Sequence, residues 1–123
     1  MTPFGDRMRK LRAERGVTLK EMADAIGVSS AYLSALEHGK RGRPGWHLIQ
    51  RILTFFNIIW DEAEEVVRLA RISHPRITID TSGLNPKATE LANRLADEIG
   101  RLDAAMLDEL LSVLERKRQK SRG

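Results

Sequence analysis

Between Leu19 and Leu36 the chain meets, at several fixed offsets, the demands of two short helices packed steeply across a tight turn. Thr18, followed three residues later by Glu21, has the form of a capping box, in which hydroxyl and carboxylate each satisfy an orphaned backbone N–H. Met22, Ala23 and Ile26 give the helix that follows a buried stripe, and the small Ala23 permits a close neighbour. Gly27 ends that helix where the chain needs a positive φ, Val28 plugs the corner, and Ser29 caps a third helix. Leu33 and Leu36 anchor the third helix, with Tyr32 beside them on the inward face. A helical hairpin packed only for its own sake would not need Met22, Ala23, Ile26, Gly27, Val28, Leu33 and Leu36 together.

The flanking segments read as helices of the same small bundle. Phe4, Met8 and Leu11 recur at helical spacing behind Thr2 as cap and Pro3 in the first turn, so a first helix runs to Glu14 or Arg15 before Gly16 stops it. Trp46, Ile49, Leu53 and Phe56, with Ile52 beside them, describe the apolar face of a fourth helix. A fifth, from Asp61 to Arg71, buries Val66, Leu69 and Ala70 and carries Asp61, Glu62, Glu64 and Glu65 in the turns that face the positive end of its dipole. No polar cap precedes it: Ile58-Ile59-Trp60 stands there and is expected to pack under the C-terminal segment. Between the third and fourth helices, His38 to Gly45 cannot continue a helix and holds Lys40, Arg41 and Arg43, which makes it an exposed basic loop.

Charge is informative here by its position. Residues 1–43 carry nine Lys and Arg against five acids, whereas residues 44–80 are close to neutral, so the N-terminal part is the part suited to a polyanion. A second basic run, Arg116 to Arg122, reads as a solvated tail, with a DNA-contacting arm as the alternative. Other function classes find no support. There is no cysteine, and His38, His47 and His74 are too scattered for a metal site, so no metal and no cofactor is expected. No serine has an activating histidine at recognisable spacing, and no Gly-rich phosphate loop is present, which argues against an enzyme. No apolar run of membrane-spanning length and no leader-like segment appears, and a cytoplasmic protein is expected.

The run VTLKEMADAIGVSSAYLSALEHG, from Val17 to Gly39, resembles the helix-turn-helix of the Cro/C1-type (XRE) regulators, and the resemblance extends over residues 4–71. It implies an all-α fold, a five-helix lambda-repressor-like DNA-binding bundle over residues 1–72, whose third helix enters the major groove of double-stranded DNA. It further implies a transcriptional regulator, commonly a dimeric repressor on inverted repeats, associated with the bacterial nucleoid when bound. By the same resemblance Ser30, Ala31, Ser34 and Ala35 face base edges with Tyr32 near the rim of the groove, while Thr18, Lys20, Ser29, Lys40 and Arg41 lie where phosphates are contacted; Arg43 is read as a phosphate contact from its place beside them in the basic loop. Arg12 and Glu37 match a family ion pair that ties the first helix to the end of the third. One departure bears on specificity. Positions that often carry Gln or Asn for bidentate adenine recognition are Ser and Ala here, so discrimination falls to groove shape, Tyr32 or the basic loop.

Residues 73–123 lie beyond the resemblance and read as an extension of one short strand and two helices. Arg76-Ile77-Thr78-Ile79-Asp80 alternates like a strand but has no partner in the chain. Asn85 and Pro86 open a sixth helix with Ala88, Leu91, Ala92, Leu95 and Ile99 on one face, which Gly100 ends; Asp103 caps a seventh bearing Leu107, Leu110, Leu111 and Leu114. These helices either complete the core or dimerise. A homodimer is the reading preferred, through Ile77, Ile79, Leu91, Leu95, Leu107, Leu110, Leu111 and Leu114, because so much apolar surface exceeds what a small domain can cover. The alternative is an antitoxin, whose C-terminal helices cover a toxin while its helix-turn-helix autoregulates the operon. A ligand-sensing regulator is a third reading, with little room for a sensory pocket.

Overall fold

Local caps set the helix boundaries in the computed structural model, which describes residues 1–122. α1 (Pro3–Arg15) begins where the Thr2 hydroxyl accepts the Gly5 N–H at 3.0 Å and ends at Gly16, whose φ of 65° only glycine adopts without strain. α2 (Leu19–Ile26) carries the capping box in full: Thr18 Oγ1 accepts the Glu21 N–H at 3.0 Å and Glu21 Oε1 accepts the Thr18 N–H at 3.1 Å. Gly27, at φ 79°, turns the chain into Ser29, whose hydroxyl accepts the Tyr32 N–H at 3.0 Å and opens α3 (Ser30–Glu37). α4 (Trp46–Phe56) closes on Asn57 in the left-handed region, and α5 (Trp60–Arg71) starts without a side-chain cap, as the sequence indicates.

These five helices enclose one core. Phe4, Met8 and Leu11 from α1 meet Met22, Ala23 and Ile26 from α2, Leu33 and Leu36 from α3, Leu48, Ile49, Ile52 and Phe56 from α4, and Val66 and Ala70 from α5. Val28 packs against this cluster at the corner of the α2–α3 turn. Several expectations need correction. Tyr32 is 37% exposed, because Leu33, Leu36 and Glu37 fill the inward side of α3. Trp46 is 61% exposed; the buried stripe of α4 is phased toward Leu48 instead, and Leu53 is only half-buried, as is Leu69 in α5. Of Ile58-Ile59-Trp60, Ile58 enters the core while Ile59 and Trp60 stay in solvent.

Hydrogen bonds from Thr2 and Phe4 tie the N-terminus of α1 to its neighbours. The Thr2 N–H reaches the Glu37 carbonyl at 3.0 Å, and the Phe4 N–H donates to the buried Ser73 hydroxyl at 2.9 Å, which in turn donates to the Leu69 carbonyl at 2.5 Å. Ser73 thus belongs with the helices before it, and the chain divides into compact units between Ile77 and Thr78, five residues beyond the change of character read from the sequence.

In the second unit α6 (Pro86–Glu98) begins with the Asn85 side chain accepting the Lys87 N–H at 2.9 Å, passes into a 3₁₀ turn (Ile99–Arg101) that contains Gly100, and leads to α7 (Ala104–Arg122). The Asp103 carboxylate accepts the Met106 N–H at 2.9 Å and caps α7. The short strand expected at residues 76–80 is not formed. No strand occurs among the described residues, because an isolated extended segment has no ladder to satisfy its N–H and C=O groups. No residue from 78 to 118 is buried, so the leucines of α6 and α7 are exposed or half-buried. A hollow of about 330 Å³ lies between the two helices, lined by Leu91, Leu95, Leu102 and Leu110 and edged by Glu90 and Arg94. Within the basic run at 116–122, side chains beyond Arg118 lie outside the described residues; Arg118 pairs with Glu115 at 3.9 Å. No helix among the described residues is long and apolar enough to cross a membrane.

Candidate nucleic-acid interface

The surface of interest is the outward side of α3, and it is fixed from behind. Arg12 and Glu37 are 9% and 2% exposed, and they meet as a fork: Nη1 donates to Oε2 and Nη2 to Oε1, the latter at 3.0 Å. Nη1 also lies 3.4 Å from the Met22 sulfur, so one guanidinium touches α2 and α3 from α1. Such a pair adds little net stability once desolvation is counted, but its fixed geometry restrains the rotation of α3. Gly5 allows the approach, since a Cβ there would overlap the Glu37 carbonyl group and lie 2.8 Å from its Cα. The matched scaffold positions therefore converge on one task, the placement of an eight-residue helix.

With Leu33, Leu36 and Glu37 inward, α3 turns Ala31 to solvent, with Ser30, Ser34 and Ala35 half-buried around it and Tyr32 on one flank. The side chains expected at base edges thus form a low, smooth face. A backbone can come close to it, but only single hydroxyl bonds and methyl contacts are on offer. The basic loop is folded back along this face. Gly39 at φ 80° reverses the chain, the Lys40 N–H closes on the Ala35 carbonyl at 2.8 Å, and the Arg41 guanidinium then lies over the Tyr32 ring, 5.9 Å from its centroid.

Lys40, Arg41 and Arg43 are exposed and make no ion pair among the described residues. Lys20 is exposed and meets Asp24 at 3.7 Å, an i,i+4 contact that water and salt weaken. Thr18 and Ser29 use their oxygen lone pairs as caps, which leaves each hydroxyl hydrogen free to donate outward. Beside Ser29 is a hollow of about 450 Å³ between the start of α3 and the start of α4, lined by Ser29, Tyr32, Gly45, His47 and Arg51. From sequence, Arg51 is not assigned to this surface and His47 is weighed only as a metal ligand. Arg51 donates to the Ile26 carbonyl at 3.3 Å, a C-terminal cap formed over 25 residues that no local pattern announces. Ile77 and Ile79 are exposed in the segment that follows α5.

Residues 3–59 match the family model for a helix-turn-helix domain. A stretch of 61 residues, 50% of this chain, is 36% identical to the uncharacterised HTH-type transcriptional regulator RghRB of Bacillus subtilis (strain 168) and covers 44% of it. The HTH-type transcriptional repressor RghR of the same organism is 38% identical over 61 residues, 50% of this chain and 45% of that protein. The HTH-type transcriptional regulator DdrOP3 of Deinococcus deserti is 42% identical over 53 residues, 43% of this chain and 40% of that protein. The matched segments thus span less than half the length of each of these relatives.

Proposed function

We propose that this chain, whose residues 3–59 match a helix-turn-helix domain and resemble HTH-type regulators, is a sequence-specific DNA-binding transcriptional regulator of the XRE family, a repressor that occupies a pseudo-palindromic operator as a homodimer. The observation that carries this reading is the third helix: it is capped by Ser29, clamped by Arg12 and Glu37, free of bulk at Ala31, Ser34 and Ala35, and flanked by three unpaired cations. Ser30, Ala31, Tyr32, Ser34 and Ala35 meet base edges; Thr18, Lys20, Ser29, Lys40, Arg41 and Arg43 hold phosphates. Action is by occupancy, without chemistry or cofactor, on DNA in the bacterial cytoplasm.

In this reading the segment after Ser73 supplies the contacts with a second copy. No residue from 78 to 118 is fully buried in one chain, and two such amphipathic hairpins cover each other's leucines more economically than one remains in water. Dimerisation then sets two copies of α3 about 34 Å apart, one turn of the duplex. Ile77 and Ile79 pair with the same segment of the second copy in this arrangement, which gives the extended stretch the ladder it lacks alone.

Selection of bound sites from random duplex DNA, with the mass of the complex measured alongside, tests the proposal. Recovery of an inverted repeat bound by two protomers is the expected result. Recovery of no preferred sequence would sink it, and a tight complex of the C-terminal helices with a small toxin-like protein would favour the antitoxin reading instead.

A further inference from the structure

The chemical plainness of α3 leaves open which group reads the operator. Ser30, Ala31, Ser34 and Ala35 include no side chain with two donors or acceptors in a fixed fork, and bidentate pairing is what distinguishes one base pair from another most sharply. One fork does lie on the flank of this helix. Gly39 reverses the chain, the Lys40 N–H is bonded to the Ala35 carbonyl, and Arg41 comes to rest over the exposed ring of Tyr32.

Stacking on an aromatic face restricts a guanidinium while leaving the N–H groups at its rim free, and the rotamer freedom lost on stacking is not lost again on binding. Arg41 is also uncompensated: no carboxylate among the described residues pairs with it. Lys40 and Arg43, on either side, have no aromatic partner among the described residues. Among the three loop cations, Arg41 alone is held by a side chain of the recognition helix.

We infer that Arg41, positioned by Tyr32, is the principal base-reading side chain of this protein, and that it recognises a guanine through the acceptors O6 and N7 in the major groove, while Lys40 and Arg43 hold phosphates. This rests on the DNA-binding reading above and refines the role of Arg41 from phosphate contact to base contact.

The two roles leave different traces. With the operator selected by the wild-type protein, binding of Arg41→Ala, Arg41→Lys, Tyr32→Phe and Tyr32→Leu is measured against every single base-pair substitution and over a range of salt. Expected for Arg41→Ala is the loss of discrimination at one G·C pair per half-site, by about tenfold or more, with preferences elsewhere intact. Arg41→Lys keeps the charge but loses the fork, and should lose the same discrimination. Tyr32→Phe keeps the ring and should retain it, whereas Tyr32→Leu should weaken it at that same pair. A uniform loss across all sequences, with the salt slope lowered by about one per protomer, would make Arg41 a phosphate contact and overturn the inference alone. An Arg41→Ala protein with wild-type preferences would overturn it too. A wild-type protein that binds no DNA would overturn the proposed function itself. Thermal unfolding of each variant separates these outcomes from loss of the fold.

Discussion

Arg12 and Glu37 lie 25 residues apart and meet side by side in the interior, two terminal nitrogens of one facing two oxygens of the other. The Glu37 carbonyl simultaneously accepts the Thr2 N–H at 3.0 Å and the Thr2 hydroxyl at 3.1 Å. Both ends of Glu37 are thus held by α1 or its cap, and the C-terminus of α3 cannot turn without breaking one or the other.

Removing one member of this pair should be far worse than removing both. Arg12→Ala leaves the Glu37 carboxylate buried without a partner, at a cost of about 3–5 kcal/mol, whereas Arg12→Met with Glu37→Leu should come close to wild-type stability. Urea unfolding of the single and double variants decides it. A double variant as unstable as the single one would mean that the fork itself, not the orphaned charge, carries the stability.

Ser73 offers a neutral counterpart. Its hydroxyl accepts from the Phe4 N–H and donates to the Leu69 carbonyl, so Ser73→Ala strands a buried backbone donor at the start of α1. The expected loss is about 1–3 kcal/mol. Native-state hydrogen exchange should show the Phe4 amide losing protection first, and an unchanged exchange rate there would count against the bond.

Binding should be strongly dependent on salt. Lys40, Arg41 and Arg43 are unpaired among the described residues, and Lys20 is held only by an exposed acid, so the proposed dimer would bring about eight cations near phosphates or bases. Raising salt from about 50 to 200 mM should then lower affinity by about three to five orders of magnitude. A change of less than about tenfold in a filter-binding or anisotropy titration would show that few of these cations meet the backbone.

The sequence disclosed the caps and the corner of the α2–α3 turn because each is a relation among residues within a few positions: Thr2 with Gly5, Thr18 with Glu21, Ser29 with Tyr32, Asp103 with Met106. It disclosed less where phase or distance decides. The apolar positions of α4 fit two stripes, one led by Trp46 and one by Leu48, and only packing against α2 selects the second. Arg15 donates to the Phe56 carbonyl at 2.6 Å and lies over the Phe56 ring, closing α4 from α1 across 41 residues. The stacking of Arg41 on Tyr32 was illegible for the same reason, since it depends on how the loop reverses at Gly39. The alternation at residues 76–80 was a valid pattern without a partner, and a pattern of side chains cannot supply hydrogen bonds.

The exposed and half-buried leucines of α6 and α7 make the proposed dimer testable. Leu107, Leu110, Leu111 and Leu114 repeat at the spacing of a helical stripe, and covering a leucine side chain fully contributes about 1.5–3 kcal/mol. Leu110→Asp with Leu114→Asp places two charges on that stripe and should yield a monomer by light scattering, with weakened operator binding. The core that holds α3 lies within residues 4–70, so the monomer should keep its thermal transition and its affinity for a half-site. Ile77→Asp with Ile79→Asp examines the neighbouring extended segment separately. If that protein dimerises as wild type does, the pairing of the two segments is wrong while the helical interface stands; if Leu110→Asp with Leu114→Asp also remains dimeric, the second copy is held by some other surface.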